Sequence, residues 1–241
     1  MLHSPVDAAG SVQPVRLTAC LAAVCLSASA GIHADVCEPF VVNVHLQVDR
    51  SIRSRAIPAD LKNETEALWM PYGVHLEWAD SPASGAAPRG LSLEVILERR
   101  LIDEPGLPTW ATVLGLASVK RNGSSARPIR VSLDATERVL ARRTISRTSS
   151  GWIVDDHDLG RALGRVLAHE IGHLLLGAPY HDDVGLMRAM FRPEELAEPD
   201  HAAFRLTCSG VARLRGRIGL LTGTEHELID PETCLHGRAE R

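Results

Sequence analysis

Residues 158–176, with the sequence DLGRALGRVLAHEIGHLLL, form the stretch around which the rest of the chain can be interpreted. Apolar side chains recur every three or four positions, which predicts an amphipathic α-helix with a wide buried face. Asp155, Asp156 and Asp158 stand where N-caps and negative charge are favoured, and Gly177 follows the last apolar residue, as glycine does at helix ends. We therefore predict one long helix that packs on the core.

Near its end this helix carries the motif His169-Glu170-Ile171-Gly172-His173. Residues four apart share one face of a helix, so His169 and His173 can direct their imidazoles at one point. Neutral imidazole is a good zinc ligand, and Glu170 can reach a water molecule at the metal without coordinating the metal itself. The pattern predicts a zinc peptidase centre with Glu170 as the general base.

A catalytic zinc usually has three protein ligands, so a third must come from the chain after Gly177. We expect His181 in this role, because the turn through Pro179 can bring it back to the helix. Two alternatives stay open at this point. One is a glutamate from a second helix, as in gluzincins, for which Glu194 or Glu195 is the candidate. The other is one of the acidic residues after His181, at positions 182 and 183.

The chain resembles the metzincin clan of zinc peptidases. The residues that carry the resemblance are His169-Glu170-x-x-His173, Gly177, His181 and Gly185-Leu186-Met187. The clan's pattern is H-E-x-x-H-x-x-G-x-x-H followed by a Met-turn. The resemblance covers residues 159–191 and implies a zinc-dependent peptidase with three histidine ligands and Met187 as an apolar floor under the site. The chain departs from the pattern because the glycine and the third histidine come one and two residues later, and no tyrosine follows Met187 closely.

Alternation of apolar and polar residues predicts strands in front of the long helix. We expect strands at 41–48, 74–78, 91–97, 109–119 and 129–133, a helix at 59–70, an exposed charged stretch at 142–150 and a last helix at 201–215. This order predicts an α/β or α+β fold, in which a mixed, twisted sheet packs on helices and one helix carries the active site. A smaller, irregular and partly helical subdomain should follow it. Residues 113–119 are a candidate edge strand for binding an extended substrate.

The N-terminus differs from the rest of the chain. Residues 17–30 follow Arg16 as a short uncharged apolar run, too short to span a bilayer, and this predicts a signal peptide. We expect it to comprise residues 1–34, leaving a catalytic domain at 35–241 with upper and lower subdomains at about 35–177 and 178–241. The mature protein would then be secreted or periplasmic, without a stable membrane anchor.

The amino-acid composition limits the classes of partner that we expect for this protein. The 241 residues carry a formal net charge of -4 and are 45% hydrophobic, which fits a soluble domain and gives no basic footprint for nucleic acid. A peptide or protein substrate is the expected partner, and Zn²⁺ is the expected cofactor. Removal of the signal peptide would leave Cys37, Cys208 and Cys234, of which we expect Cys208–Cys234 to form a disulfide. An exported protein with a purely structural zinc site is the remaining alternative.

Overall fold

The structure, a computed structural model, describes residues 39–79, 91–101, 113–119, 127–145, 154–177 and 179–222. All of them belong to one compact unit, Cys37–Arg241. The predicted signal peptide, Cys37 and Cys234 lie outside the described residues. Cys208 is disulfide-bonded, and its partner also lies outside them. Within the described part of the chain, no helix is both long and apolar enough to cross a bilayer.

Five strands among the described residues form one mixed sheet, which confirms the predicted fold class. They are β1 (Phe40–Val48), β2 (Val74–Ala79), β3 (Leu91–Glu98), β4 (Gly115–Leu116) and β5 (Ile129–Ser132). Their order across the sheet is β2-β1-β3-β5-β4, and only β4 runs antiparallel to its neighbour. The predicted strand at 109–119 therefore shrinks to two paired residues, and these lie at an edge of the sheet.

Five α-helices accompany the sheet in the part of the chain that the structure describes. They are α1 (Ala56–Trp69), α2 (Leu133–Ile145), α3 (Asp156–Leu176), α4 (Pro193–Ala197) and α5 (Cys208–Thr222). The long helix α3 agrees with the prediction, including its N-cap, because the Asp155 carboxylate accepts a 2.7 Å hydrogen bond from the Asp158 backbone N–H. Its apolar residues belong to the main core together with the inner residues of the sheet and of α1.

Two predicted helix boundaries were wrong, and one helix was not predicted. Helix α1 begins at Ala56, three residues before the predicted start. The last helix is α5, which begins at Cys208, while residues 202–204 form a separate short 3₁₀ turn. The region predicted to be an exposed stretch at 142–150 begins inside α2, a helix that the periodicity analysis missed. It was missed because β5 passes into α2 without a loop.

Helices α1 and α3 approach each other closely. A Cβ atom on Gly164 would lie 2.6 Å from Glu64 Cβ, so only glycine fits at this crossing. Beside it the Arg165 side chain is fully buried and pairs with Glu64, with 2.6 Å between Nε and Oε1. The same guanidinium donates to the backbone carbonyls of Glu195 and Asp200. Arg165 therefore joins α1 and α3 to the chain that follows α3.

Candidate metal centre

Helix α3 positions two of the predicted residues. His169 and His173 are one turn apart, and their ring centroids are separated by 4.7 Å. His169 is only 7% exposed, while His173 is half-buried. This is the shared helix face that the spacing predicts.

The loop after α3 brings His181 to the same place. Its ring centroid lies 5.4 Å from that of His169 and 4.9 Å from that of His173. Each of the three histidines offers one ring nitrogen, and these nitrogens lie within 4.8 Å of one another, so the group could hold a metal ion. Three imidazoles are a donor set that suits Zn²⁺, as the sequence predicts.

Hydrogen bonding fixes which nitrogen of His169 is free. Its Nδ1 lies 2.8 Å from the backbone carbonyl oxygen of Leu186, which can only accept a hydrogen bond. Nδ1 therefore carries the proton in the neutral ring, and Nε2 keeps a lone pair for a metal. His173 Nδ1 is buried without a hydrogen-bond partner.

Burial also sets the charge of the site. Together with a smaller effect of the neighbouring imidazoles, it lowers the pKa of His169 to about 4, against the opposing effect of the hydrogen bond to Leu186, and the pKa of His173 to about 4. Both rings are therefore neutral at neutral pH, which is the form that binds metals. For Glu170, burial raises the pKa to about 7, against the opposing effect of a hydrogen bond from the Ala117 backbone.

The edge strand β4 packs directly against Glu170. A Cβ atom on Gly115 would lie 2.7 Å from Glu170 Cγ and 2.8 Å from Oε1, so a larger residue there would displace the carboxylate. Sequence reasoning missed Gly115, because its role follows from the position of β4 in the sheet. The predicted edge strand at 113–119 thus lies beside the predicted base.

Met187 lies in the turn predicted from Gly185-Leu186-Met187. It is fully buried, and its Sδ packs so closely on Gly172 that a Cβ there would overlap it. Gly172 precedes His173, so the methionine lies against the backbone of the metal-binding motif. The preceding residue, Leu186, supplies the carbonyl that orients His169.

Asp182 holds the loop that carries His181. Its Oδ2 accepts hydrogen bonds from the Tyr180 hydroxyl at 2.7 Å and the Thr207 hydroxyl at 2.6 Å. Its backbone N–H donates to the carbonyl of Met187 at 2.9 Å. Thr207 in turn accepts from the backbone N–H of Gly210 in the first turn of α5. Asp182 therefore connects His181, Met187 and the start of α5.

The acidic alternatives to His181 do not join the histidine group. Glu195 instead pairs with Arg188, with 2.6 Å between Nη2 and Oε2. Glu194 and Asp183 are exposed. Among the described residues, the cluster capable of holding a metal contains only the three histidines.

A cleft of about 560 Å³ opens over the three histidines and Glu170. The β4 segment, residues 113–117, forms one wall. Helix α2 contributes Val139 and Arg142, and the chain after Met187 contributes Met190, Phe191 and Pro193. Sequence reasoning had placed none of these α2 residues at the site, because it had not recognised the helix.

No protein-family model matches the chain, and no curated protein matches it. Among solved structures, the zinc-dependent peptidase from Methanocorpusculum labreanum is similar at 19% identity and a TM-score of 0.42, over 71% of this chain and 99% of that one. Archaemetzincin from Methanopyrus kandleri is similar at 14% identity and a TM-score of 0.43, over 75% of this chain and 96% of that one. Because both similarities are weak, the function proposed next rests on the residues of this chain.

Proposed function

We propose that the protein is an exported, metzincin-like zinc metallopeptidase, most simply an endopeptidase. The observation that carries this proposal is the convergence of His169, His173 and His181, with Glu170 buried beside them. Three protein ligands leave a coordination position open for water, as in catalytic rather than structural zinc sites. A closed structural site would need a fourth ligand, and the described residues place only three together.

The reaction is hydrolysis of a peptide bond. When bound, zinc lowers the pKa of water towards about 7 and polarises the scissile carbonyl. Glu170 accepts the proton of the attacking water and returns it to the departing amine nitrogen. A carboxyl group with a pKa of about 7 can both accept and return a proton near neutral pH.

The substrate would bind in an extended form along β4. Within the described residues β4 pairs only with β5, so its other side can accept a peptide strand by main-chain hydrogen bonds. A peptide bound there would have its scissile carbonyl in the cleft, because the same strand contacts Glu170. Met187 would serve as the apolar floor under the histidines.

Export is proposed from the apolar run at residues 17–30, and the mature protein would be secreted or periplasmic. Cell fractionation with N-terminal sequencing tests this part separately. A chain that remains in the cytoplasm with residues 1–34 intact would overturn it, without affecting the peptidase proposal.

The peptidase proposal is tested by hydrolysis of an unfolded protein, such as reduced casein, by the zinc-loaded chain with and without a chelator. Glu170→Gln should retain zinc and lose activity by about 100- to 10,000-fold, the usual contribution of a general base. Glu194→Gln is the matched control, because it removes an exposed carboxylate on α4 and should leave the rate unchanged. Activity that survives both the chelator and Glu170→Gln would overturn the proposal.

A further inference from the structure

Arg142 has an unusual place among the arginines of this protein. It projects from α2 as one of the residues that line the cleft, which it shares with Glu170 and the three histidines. Among the described residues that line the cleft, it is the only arginine or lysine, and it lies outside the metal-binding motif. The described lining of the cleft therefore carries one permanent positive charge.

Other arginines near the core are paired with carboxylates of the protein. Arg130 pairs with Glu98 at 2.6 Å, Arg161 with Asp158 at 2.7 Å, and Arg188 with Glu195 at 2.6 Å. Within the described ranges Arg142 has no such ion pair, and Glu170 is the only carboxylate among the lining residues that the structure describes. The guanidinium is thus left available for an anionic group that enters the cleft.

The surroundings of Arg142 strengthen such an interaction. Val139 lies one turn earlier on α2, and Val166 lies one turn before Glu170 on α3, and both line the cleft with Phe191 and Pro193. Arg142 itself is exposed, so these apolar side chains strengthen an ion pair with it once a bound peptide has displaced water from the guanidinium. A guanidinium also binds a carboxylate through two parallel hydrogen bonds, which adds geometric selectivity.

We infer that Arg142 is a specificity-determining residue that binds a carboxylate of the peptide substrate. The inference rests on the proposed peptidase function and names a substrate class for it. The carboxylate is either an acidic side chain at a fixed distance from the scissile bond or the free C-terminus of a short peptide. Both present the same group to the guanidinium, so they must be separated by experiment.

The test begins with the zinc-loaded protein and a mixture of short synthetic peptides of random sequence, with cleavage sites read by mass spectrometry. Wild-type protein should favour Asp or Glu at one position relative to the cut, or cuts at a constant distance from the C-terminus. The best substrate is then compared with its Glu→Gln and Glu→Lys counterparts and with its C-terminal amide. Loss of a charged hydrogen-bonded pair should lower kcat/KM by about 10-fold or more.

Substitutions of Arg142 test whether this side chain causes the preference for a carboxylate. Arg142→Gln should abolish the preference, Arg142→Lys should retain part of it, and Arg142→Glu should shift it towards Lys-containing peptides. Arg138→Gln is the matched control, because Arg138 is exposed one turn earlier on α2 but does not line the cleft. It should leave the preference intact.

Two outcomes would overturn the inference, and they differ in what else they affect. If the wild-type protein cleaves the mixture without any preference for a carboxylate, or if Arg142→Gln keeps the preference, only the role of Arg142 fails. If zinc-loaded protein cleaves neither the peptides nor casein, the peptidase function itself fails and the inference with it. A preference for acidic side chains that persists in the C-terminal amide assigns the side-chain source, and its loss in the amide assigns the C-terminus.

Discussion

The two halves of the metal centre, the histidines of α3 and His181, are held in place by different kinds of interaction. His169 and His173 lie on α3, where regular backbone hydrogen bonds and an almost wholly buried apolar surface fix their spacing. His181 lies in residues 179–207, the return segment, which contains only one short helix, α4, and a 3₁₀ turn. Polar contacts of long sequence range hold this segment, such as Thr207 to Asp182 and the Leu206 N–H to the Tyr72 hydroxyl at 2.7 Å.

This difference shows where a site can be adjusted without rebuilding the fold. A ligand on a core helix cannot move unless the core repacks, because the interior is close-packed. A ligand on a loop moves as soon as a few hydrogen bonds change. Substitutions in the return segment should therefore act on metal affinity, while substitutions on the buried face of α3 should act on the stability of the whole domain.

The largest effect is expected at the buried link between the two halves. Arg165→Met leaves the Glu64 carboxylate buried without its main partner and removes two hydrogen bonds to the return segment. Breaking a buried ion pair in this way costs about 3–5 kcal/mol, measurable as a lower free energy of unfolding in urea. Adding Glu64→Gln should recover part of the loss.

Arg161→Met is the matched control on the same helix. Its partner Asp158 has a side chain that is 37% exposed, so loss of this ion pair should cost less than about 1 kcal/mol. Arg161 also donates a 2.8 Å hydrogen bond to the backbone carbonyl of Ala197. Its loss adds about 1 kcal/mol, and the total should stay below the loss in Arg165→Met. Equal destabilisation by the two arginine substitutions would show that Arg165 is not the link described here.

Loss of the loop ligand should be the next largest effect. Zinc bound by four ligands in small domains is worth about 10–16 kcal/mol, so removing one ligand by His181→Ala should weaken zinc binding at least about 100-fold. His181 is exposed, so the variant should retain the wild-type unfolding midpoint without metal. His75→Ala removes an exposed histidine on β2 and should bind zinc normally. Unchanged zinc affinity in His181→Ala would reject His181 as a ligand.

Asp182 tests whether polar contacts position the loop ligand. Asp182→Asn keeps the size of the side chain but weakens its acceptance of hydrogen bonds from the Tyr180 and Thr207 hydroxyls. Groups that orient a ligand typically contribute 10- to 100-fold to metal affinity, so we expect about that loss in zinc titration. Asp183→Asn, at an exposed neighbouring position, should have no effect. If both variants bind zinc like the wild type, the loop is positioned in another way.

The smallest effect is expected at the contact between Met187 and the motif helix. Gly172→Ala introduces a methyl group where Met187 Sδ already lies, and overpacking of this kind costs about 1–3 kcal/mol. Gly216→Ala, in α5 with nothing within 4 Å of the added atom, should instead stabilise by about 0.5–1 kcal/mol. Thermal unfolding of both variants measures the contrast. Two substitutions of equal effect would argue against the close contact at Gly172.

Sequence periodicity was enough to predict the parts of the fold that follow from local patterns. Strands β1, β2 and β3 and the helix α3 were found within one or two residues, because alternation and helical spacing are direct consequences of which side is buried. Helix α2 was missed although Ser132, a preferred N-cap residue, precedes it and its hydroxyl accepts a hydrogen bond from the Ala135 N–H.

The same limit applies to the site, because only its local part could be predicted from the sequence. The helix spacing of His169 and His173 is a local property, whereas the choice between His181, Asp182 and Glu195 depends on the path of the return segment. That path is set by partners far along the chain, such as Arg165, which donates to the backbone carbonyls of Glu195 and Asp200. The positions of Gly115 and Arg142 at the cleft depend on strand order and on α2, which no local pattern specifies.

The central claim is that three histidines from a helix and a loop hold a zinc ion with one position open to solvent. X-ray absorption at the zinc edge on the stoichiometrically loaded protein tests it most directly. We expect three imidazole nitrogens and one light solvent atom at about 2.0–2.1 Å from the zinc. In His181→Ala, the number of imidazole ligands should fall by one. A shell that includes sulfur at about 2.3 Å, four protein ligands, or no stoichiometric zinc after repletion would contradict it.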